Sequence, residues 1–282
     1  MRLQQWIKNL FLFAPLIFSG HLIRREDLHV TLLGYFIFSI LSSGVYLFND
    51  ICDLEQDKLH PQKSQRPLPS GRLPISAAWV SSIVLSAVGL TSAYVLSYDF
   101  FITGFAYVVL NLLYSLKMKE IVIVDVMTIA AGFLLRVIAG AVLIDVPTSE
   151  WLIICTVLLS LFLGFSKRRH ELTFLEHQAN THRSVLEYYS PYFLDQMIGI
   201  VTASTVMSYT LYTISEETVQ KFGTNHLIYT LPFVLYGIFR YLYLVHKREE
   251  GGNPTKLVLT DAPLVINILL WIITASIIIY RR

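Results

Sequence analysis

Long apolar runs separated by short polar segments dominate the pattern of this chain. Residues 28–48 contain no charged side chain and one histidine, His29, and residues 258–280 are interrupted by a single acid, Asp261. Runs of about 20 apolar residues are long enough to cross a bilayer as helices. The runs lack the strict alternation of a membrane barrel strand, and a backbone in lipid must satisfy its own hydrogen bonds, so each run reads as a helix. The pattern predicts nine spans, at roughly 8–20, 28–49, 75–96, 98–117, 121–144, 150–166, 192–214, 226–246 and 258–280. The first is short, and a tilted or partly interfacial course is expected of it. It has no small-residue cleavage site after its apolar part, so it reads as a retained helix and not a removed signal. The expected fold class is all-α, a polytopic membrane bundle of about nine transmembrane helices. It forms one integral membrane domain over residues 1–282.

Composition supports this picture. The 282 residues are 54% hydrophobic and 15% charged, whereas a soluble domain carries about a quarter charged residues. Mean hydropathy is +0.56. Cys52 and Cys155 imply no disulfide framework. With a formal net charge of +2 and no basic patch interleaved with aromatics, nothing points to nucleic acid.

Basic residues orient the spans. With the N-terminus inside, the inner segments carry Arg2, Lys8, Lys58, Lys63, Arg66, Arg72, Lys117, Lys119, Lys167, Arg168, Arg169, Arg183, Lys247, Arg248 and Lys256. The outer segments carry Arg24, Arg25, Lys221, Arg281 and Arg282, a third as many, and Arg136 and Arg240 fall within spans. The polar loops at 49–74 and 164–190 then face the cytoplasm, where a charged substrate would be met.

One of these loops carries chemistry. Asn49, Asp50, Asp53 and Asp57 directly follow the second span. If that span continues as a helix, the three acids share one face, at i, i+3 and i+7. Carboxylates on one stripe repel one another unless a cation sits among them. Hard oxygen ligands at a helix end suit Mg²⁺, which is usually held by one or two carboxylates plus substrate phosphates. The following loop, marked by Pro61, Pro67, Pro69 and Gly71, is basic. Within it Lys63 and Arg66 are placed to hold phosphate oxygens, Arg66 in bidentate fashion. Lys58 and Arg72 are equally explained as inner-face anchors. No glycine-rich phosphate loop, zinc pattern or Ser/His/Asp arrangement is visible. His60, His170, His177 and His182 read as loop histidines.

These residues carry a resemblance. The 49–57 cluster after the second of nine helices resembles the first signature of the UbiA superfamily of intramembrane prenyltransferases. The branch that transfers phosphoribose to polyprenyl phosphate is the closer match. It is indicated by the string from Asn49 through Glu55, His60-Pro61, Lys63 and Arg66-Pro67 to Gly71, and by Gln5-Trp6-x-Lys8-Asn9. Tyr114-Ser115 with Lys119 and Asp125, and Leu135-Arg136 with Ala139-Gly140, resemble later parts of that branch. After the sixth span, aromatic prenyltransferases of the superfamily carry a second Asp-rich motif. Here that place reads Lys167-Arg168-Arg169-His170-Glu171-Leu172, similar to the basic string of the phosphoribosyl branch. Leu3 departs from the Pro the branch often has after Arg2.

The resemblance implies phosphoribosyl diphosphate as donor, a polyprenyl phosphate as acceptor and Mg²⁺ as cofactor, in a bacterial-type inner membrane. Asp50, Asp53 and Asp57 would hold the metal, with Asn49 on a metal-bound water or a ribose hydroxyl. Lys63, Arg66, Lys119, Lys167 and Arg168 are candidates for the donor phosphates, and Glu55 and Tyr114 for substrate binding. Glu171 would orient Lys167 or Arg168, or meet ribose. Lys8 and Arg136 are candidates for the acceptor phosphate, although Arg136 is also open to pairing with Asp125 on its own helix. Homo-oligomerisation stays open. The alternatives are a prenyltransferase using prenyl diphosphate with an aromatic or other acceptor, and a membrane transporter. The one-sided gathering of charge and the absence of visible inverted halves weigh against the transporter.

Overall fold

The computed structural model describes residues 3–59, 63–175, 184–247 and 254–280. Arg2, His60, Pro61, His177, His182, Arg183, Arg248, Arg281 and Arg282 from the sequence reading lie outside them. The described residues are helical almost throughout and contain no strand. A 3-10 segment, Leu3–Leu12, leads into α1 (Phe13–Phe18). The further helices are α2 (Arg25–Cys52), α3 (Leu54–Leu59), α4 (Ile75–Leu96), α5 (Tyr98–Leu116), α6 (Val124–Leu143), α7 (Glu150–Leu175), α8 (Pro191–Ile214), α9 (Glu216–Phe222), α10 (Leu231–Lys247), α11 (Pro254–Thr260) and α12 (Ala262–Tyr280). Eight stretches, α2, α4, α5, α6, α7, α8, α12 and α10 taken with the 3-10 turn before it (His226–His246), are long and apolar enough to cross a membrane.

The remaining predicted span, 8–20, takes an unforeseen form. The Leu3–Leu12 segment is wound as a 3-10 helix, which rises about 2.0 Å per residue. With α1 it reaches about 29 Å, close to the roughly 30 Å hydrocarbon thickness. It runs antiparallel to α2: Trp6 donates to Ser43, Asn9 to Ser39 and Ser42, and Phe13 meets the Tyr35 ring. Gly140 of α6 permits this approach, since a β-carbon there would stand 2.0 Å from the Leu12 carbonyl oxygen. The count of nine is therefore approximate: among the described residues there are eight long apolar helices and one shorter 3-10 and α segment of near-membrane length.

Caps follow the sequence. Ser97 and Ser190 accept N–H bonds from the first turns of α5 and α8, the latter opening on Pro191. The run at 258–280 is not one helix. Asp261 breaks it, accepts the Leu264 N–H as cap of α12, and is gripped through both oxygens by Arg240 of α10 at 3.1 and 2.8 Å.

Helix α6 is the most buried of the spans. Its Val126 belongs to a core shared with α7, α8, α10 and α12, and its Ala139 to one shared with the 3-10 segment, α2, α4 and α5. Alternating connections bring the ends of α2, α5, α7 and α10 and the starts of α6 and α8 to one end of the bundle. The ion pairs Lys119–Asp53, Arg168–Asp125 and Arg169–Asp195 all lie there.

Candidate active site

The acidic stripe forms where α2 ends. Asp53 is the terminating residue, yet its N–H still bonds to the Asn49 carbonyl and its own carbonyl accepts the Asp57 N–H. The helical path thus continues through the break into α3, and Asp50, Asp53 and Asp57 stay on one side. They are 6%, 4% and 2% exposed. Each meets a cation. Lys119, just after α5, donates to Asp53 Oδ1 at 2.6 Å. Arg66 donates to Asp57 Oδ2 at 2.5 Å and stands 3.6 Å from Asp50 Oδ1, while Lys63 lies 3.7 Å from Asp57 Oδ1. Asn49 donates to Asp53 Oδ2 at 2.9 Å and accepts from Ser115 at 3.0 Å. Buried carboxylates are tolerated only when paired, and the basic residues of the following loops provide the pairs.

Among the described residues no three His, Cys, Asp or Glu side chains are gathered closely enough to hold a metal ion by themselves. The donor chemistry nevertheless suits a hard divalent cation. Magnesium takes one or two carboxylates and completes its shell from substrate phosphates and water, so it needs no three-carboxylate cage. An ion entering the stripe would exchange with Lys119, Lys63 or Arg66, leaving those cations to face phosphate oxygens.

Glu55 is not brought to this stripe. Its side chain is 82% exposed and pairs with Lys58 at 2.7 Å, because position 55 lies on the opposite face of α3 from Asp57. Arg72 also stays outside, bonding Ser70 and the Gln65 carbonyl.

A second group lies at the head of α6. Arg168 is fully buried and bonds Asp125 at 2.6 Å, Glu171 at 2.5 Å and Tyr114 at 3.2 Å. Glu171 also stands 3.6 Å from Lys167, so both helical spacings expected for it are realised. Tyr189 had not been singled out in the sequence. Its hydroxyl donates to Asp125 at 2.7 Å and accepts the Ile123 N–H at 2.6 Å. Burial and the bond to Asp125 push its phenol above the ordinary value, which keeps the proton in place. Ile123 sits at φ +68°, an unfavourable conformation for a β-branched residue; its N–H bond to Tyr189 helps hold that turn. Arg168 thus braces the site, and its neighbour Lys167, 35% exposed in its side chain, stands beside Glu171.

A third group is formed by Lys8 and Arg136, which converge on Tyr46. Lys8 Nζ is 5.8 Å from the ring centroid, and Arg136 Nη2 is 3.3 Å from the hydroxyl. The expected alternative, an Arg136–Asp125 pair, is not formed. The two residues stand eleven positions apart on one helix, about 16 Å along its axis, and Asp125 is taken by Arg168 and Tyr189. Arg136 instead bonds Asn9, Gly132, Tyr46 and Tyr107. Tyr107 carried no motif signal. Tyr46 could have been found, since it lies one turn before Asp50 on the same stripe.

Fold and charged end together define an integral membrane helical bundle with a polar site at one end. The model of the UbiA prenyltransferase family matches residues 11–273, and the chain belongs to that family of membrane transferases. It is 30% identical over 280 residues to the decaprenyl-phosphate phosphoribosyltransferase of Mycobacterium tuberculosis (strain H37Rv), covering 98% of this chain and 91% of that one. It is 30% identical over 291 residues to the protein of the same name from Mycolicibacterium smegmatis, covering 99% and 91%. The structure of a UbiA homologue from Archaeoglobus fulgidus bound to DMAPP and Mg²⁺ superposes with a TM-score of 0.75, at 20% identity, over 99% of this chain and 96% of that one.

Proposed function

We propose that this membrane enzyme transfers 5-phosphoribose from phosphoribosyl diphosphate to a polyprenyl phosphate, with Mg²⁺, at the cytoplasmic face of a bacterial-type inner membrane. The observation that carries the reading is the stripe Asp50–Asp53–Asp57 interlocked with Lys119, Lys63 and Arg66. It combines ligands for a divalent cation with ligands for phosphate in one place. Support for phosphoribose in particular comes from the relatives of similar length, and from the basic string at 167–169 where a second acidic motif would serve a prenyl diphosphate.

Residues 1–282 act as one domain, with catalytic loops at 49–74 and 164–190. Asp50, Asp53 and Asp57 hold the metal, and Asn49, already bonded to Asp53, orients it. The bound ion supplies neutralisation of charge on the leaving diphosphate. Lys119, Lys63 and Arg66 release their carboxylates and take donor phosphate oxygens, while Lys167 takes a phosphate oxygen and Glu171 a ribose hydroxyl. Arg168, itself bonded to Tyr114, holds Glu171 in place. The acceptor phosphate, ionised near neutral pH, attacks C1 through oxygen; the C1–O bond to diphosphate breaks and its electron pair leaves with diphosphate. This chemistry requires no general base. Lys8 and Arg136 hold the acceptor phosphate.

Purified protein given Mg²⁺, ribose-labelled phosphoribosyl diphosphate and polyprenyl phosphate should form a labelled lipid and release diphosphate in equal amount. If no label enters the lipid, while a labelled prenyl diphosphate supplied in a parallel reaction passes its prenyl group to an acceptor, the chain is a prenyltransferase and the phosphoribose reading is lost.

A further inference from the structure

Among the described residues two arginines are buried inside this bundle, and their surroundings differ in kind. Arg168 is met by two carboxylates, Asp125 and Glu171. Arg136, 4% exposed, has only neutral hydrogen-bond partners among the described residues: Asn9 Oδ1 at 2.9 Å, the Gly132 carbonyl at 2.7 Å, Tyr46 at 3.3 Å and Tyr107 at 2.9 Å. The rings of Tyr107, Phe133 and Phe38 surround its guanidinium with centroids at 4.8, 5.2 and 5.8 Å. Its hydrogen bonds are made but its charge is not matched. A cation held inside a membrane protein without a counter-ion is costly, and such a site is suited to an anion that arrives as ligand.

The neighbours fit that role. Tyr46 and Tyr107 accept from Arg136, and a hydroxyl that accepts in this way can still turn its proton toward an anionic oxygen. Lys8 lies against Tyr46 from the 3-10 segment. Tyr46 stands one turn, about 6 Å along the axis, before Asp50, on the apolar side of the acidic stripe. Phe38, Phe133 and Phe11 line that side, Phe11 and Phe133 with centroids 5.0 Å apart. An anion held here would carry hydrocarbon behind it.

We infer that Tyr46, Tyr107 and Asn9 join Lys8 and Arg136 in a single phosphate seat, built from the 3-10 segment, α2, α5 and α6, which takes the phosphate of an isoprenoid lipid. The inference rests on the proposed function for the identity of that lipid as acceptor. The tyrosine hydroxyls donate to the phosphate, Asn9 fixes the guanidinium, and the 3-10 segment is thereby part of the site and not a mere anchor.

The test is direct binding of farnesyl phosphate to the detergent-purified full chain, with farnesol, inorganic phosphate and phosphoribosyl diphosphate as competitors. Wild type should bind farnesyl phosphate and be displaced neither by farnesol nor by the two water-soluble phosphates at equal concentration. Tyr46→Phe and Tyr107→Phe should each weaken binding about tenfold, the loss expected for one hydrogen bond to a charged group. Both keep the ring and should leave the affinity for phosphoribosyl diphosphate within about twofold of wild type. Arg136→Lys should lose more, and its thermal unfolding reports whether the fold survives. Farnesyl phosphate binding that the two phenylalanine variants leave unchanged would overturn the seat. So would equal displacement by inorganic phosphate, or a loss of donor affinity in its place. If the seat behaves as expected while no phosphoribosyl transfer occurs, the seat stands and the reaction reading falls.

Discussion

Lys119 Nζ lies 2.6 Å from Asp53 Oδ1, while Asn49 holds the other oxygen of the same carboxylate at 2.9 Å. A residue just beyond α5 thus closes the end of α2. Replacing Asp53 with Asn should lower turnover by at least about 10²-fold. It should also destabilise the fold by about 3–5 kcal/mol, because Lys119 is left buried and unmatched. The double variant Asp53→Asn, Lys119→Met should recover most of the thermal stability and none of the activity. Turnover retained in the single variant would remove Asp53 from the proposed metal set.

Asp125 is shared by Arg168 and Tyr189. Asp125→Asn should cost about 3–5 kcal/mol by breaking a fully buried pair. Tyr189→Phe should cost about 1–2 kcal/mol by removing one hydrogen-bonding hydroxyl. Thermal unfolding in detergent measures both, and an inverted order would mean that Arg168 is held mainly by Glu171.

Glu55 stands apart from the stripe, paired with Lys58 at the surface. An exposed pair of this kind is worth about 0–1 kcal/mol. Glu55→Gln should therefore keep kcat/KM within about twofold of wild type. A large loss would show that the end of α3 turns inward when substrate binds.

Chelation should separate metal from scaffold. Treatment with EDTA should bring phosphoribosyl transfer to background, and added Mg²⁺ should restore it. The melting temperature should change little, since each carboxylate already holds a cation. Transfer that persists in EDTA would sink the metal assignment.

Gly140 lets the 3-10 segment approach α6. Gly140→Ala should destabilise by about 1–3 kcal/mol through overpacking. By displacing Asn9 and Lys8 it should raise KM for the lipid more than KM for the donor. An equal rise in both would mean that the segment merely supports the fold.

Much of this molecule was legible in the chain because lipid imposes a simple rule. Apolar runs of membrane length had to be helices, and the spacing of Asp50, Asp53 and Asp57 had to form a stripe if α2 continued. It does so through a one-residue break at Asp53. What stayed hidden was pairing. Whether Asp125 meets Arg136 or Arg168 depends on which helix lies beside α6, and nothing local records that. The same holds for Tyr189, whose role exists only because the 184–190 segment returns to the head of α6. Asp261 was visible as an interruption, but its part in capping α12 and gripping Arg240 required the neighbouring helix. The 3-10 winding of Leu3–Leu12 goes with its close approach to α6 at Gly140, a tertiary contact that its periodicity does not record, so the periodicity alone suggested only a short ordinary helix.

The pairing around residues 167–169 has a consequence for how a charged substrate is drawn in. Lys167, Arg168 and Arg169 stand against Glu171, Asp125 and Asp195, so three positive charges and three negative ones cancel within a few ångströms. At long range that string is nearly silent, and its field fades well inside one Debye length. A polyanionic donor gains no electrostatic steering from it. Selection at this end of the bundle must come after arrival, from which ion pairs open to exchange a carboxylate for a phosphate.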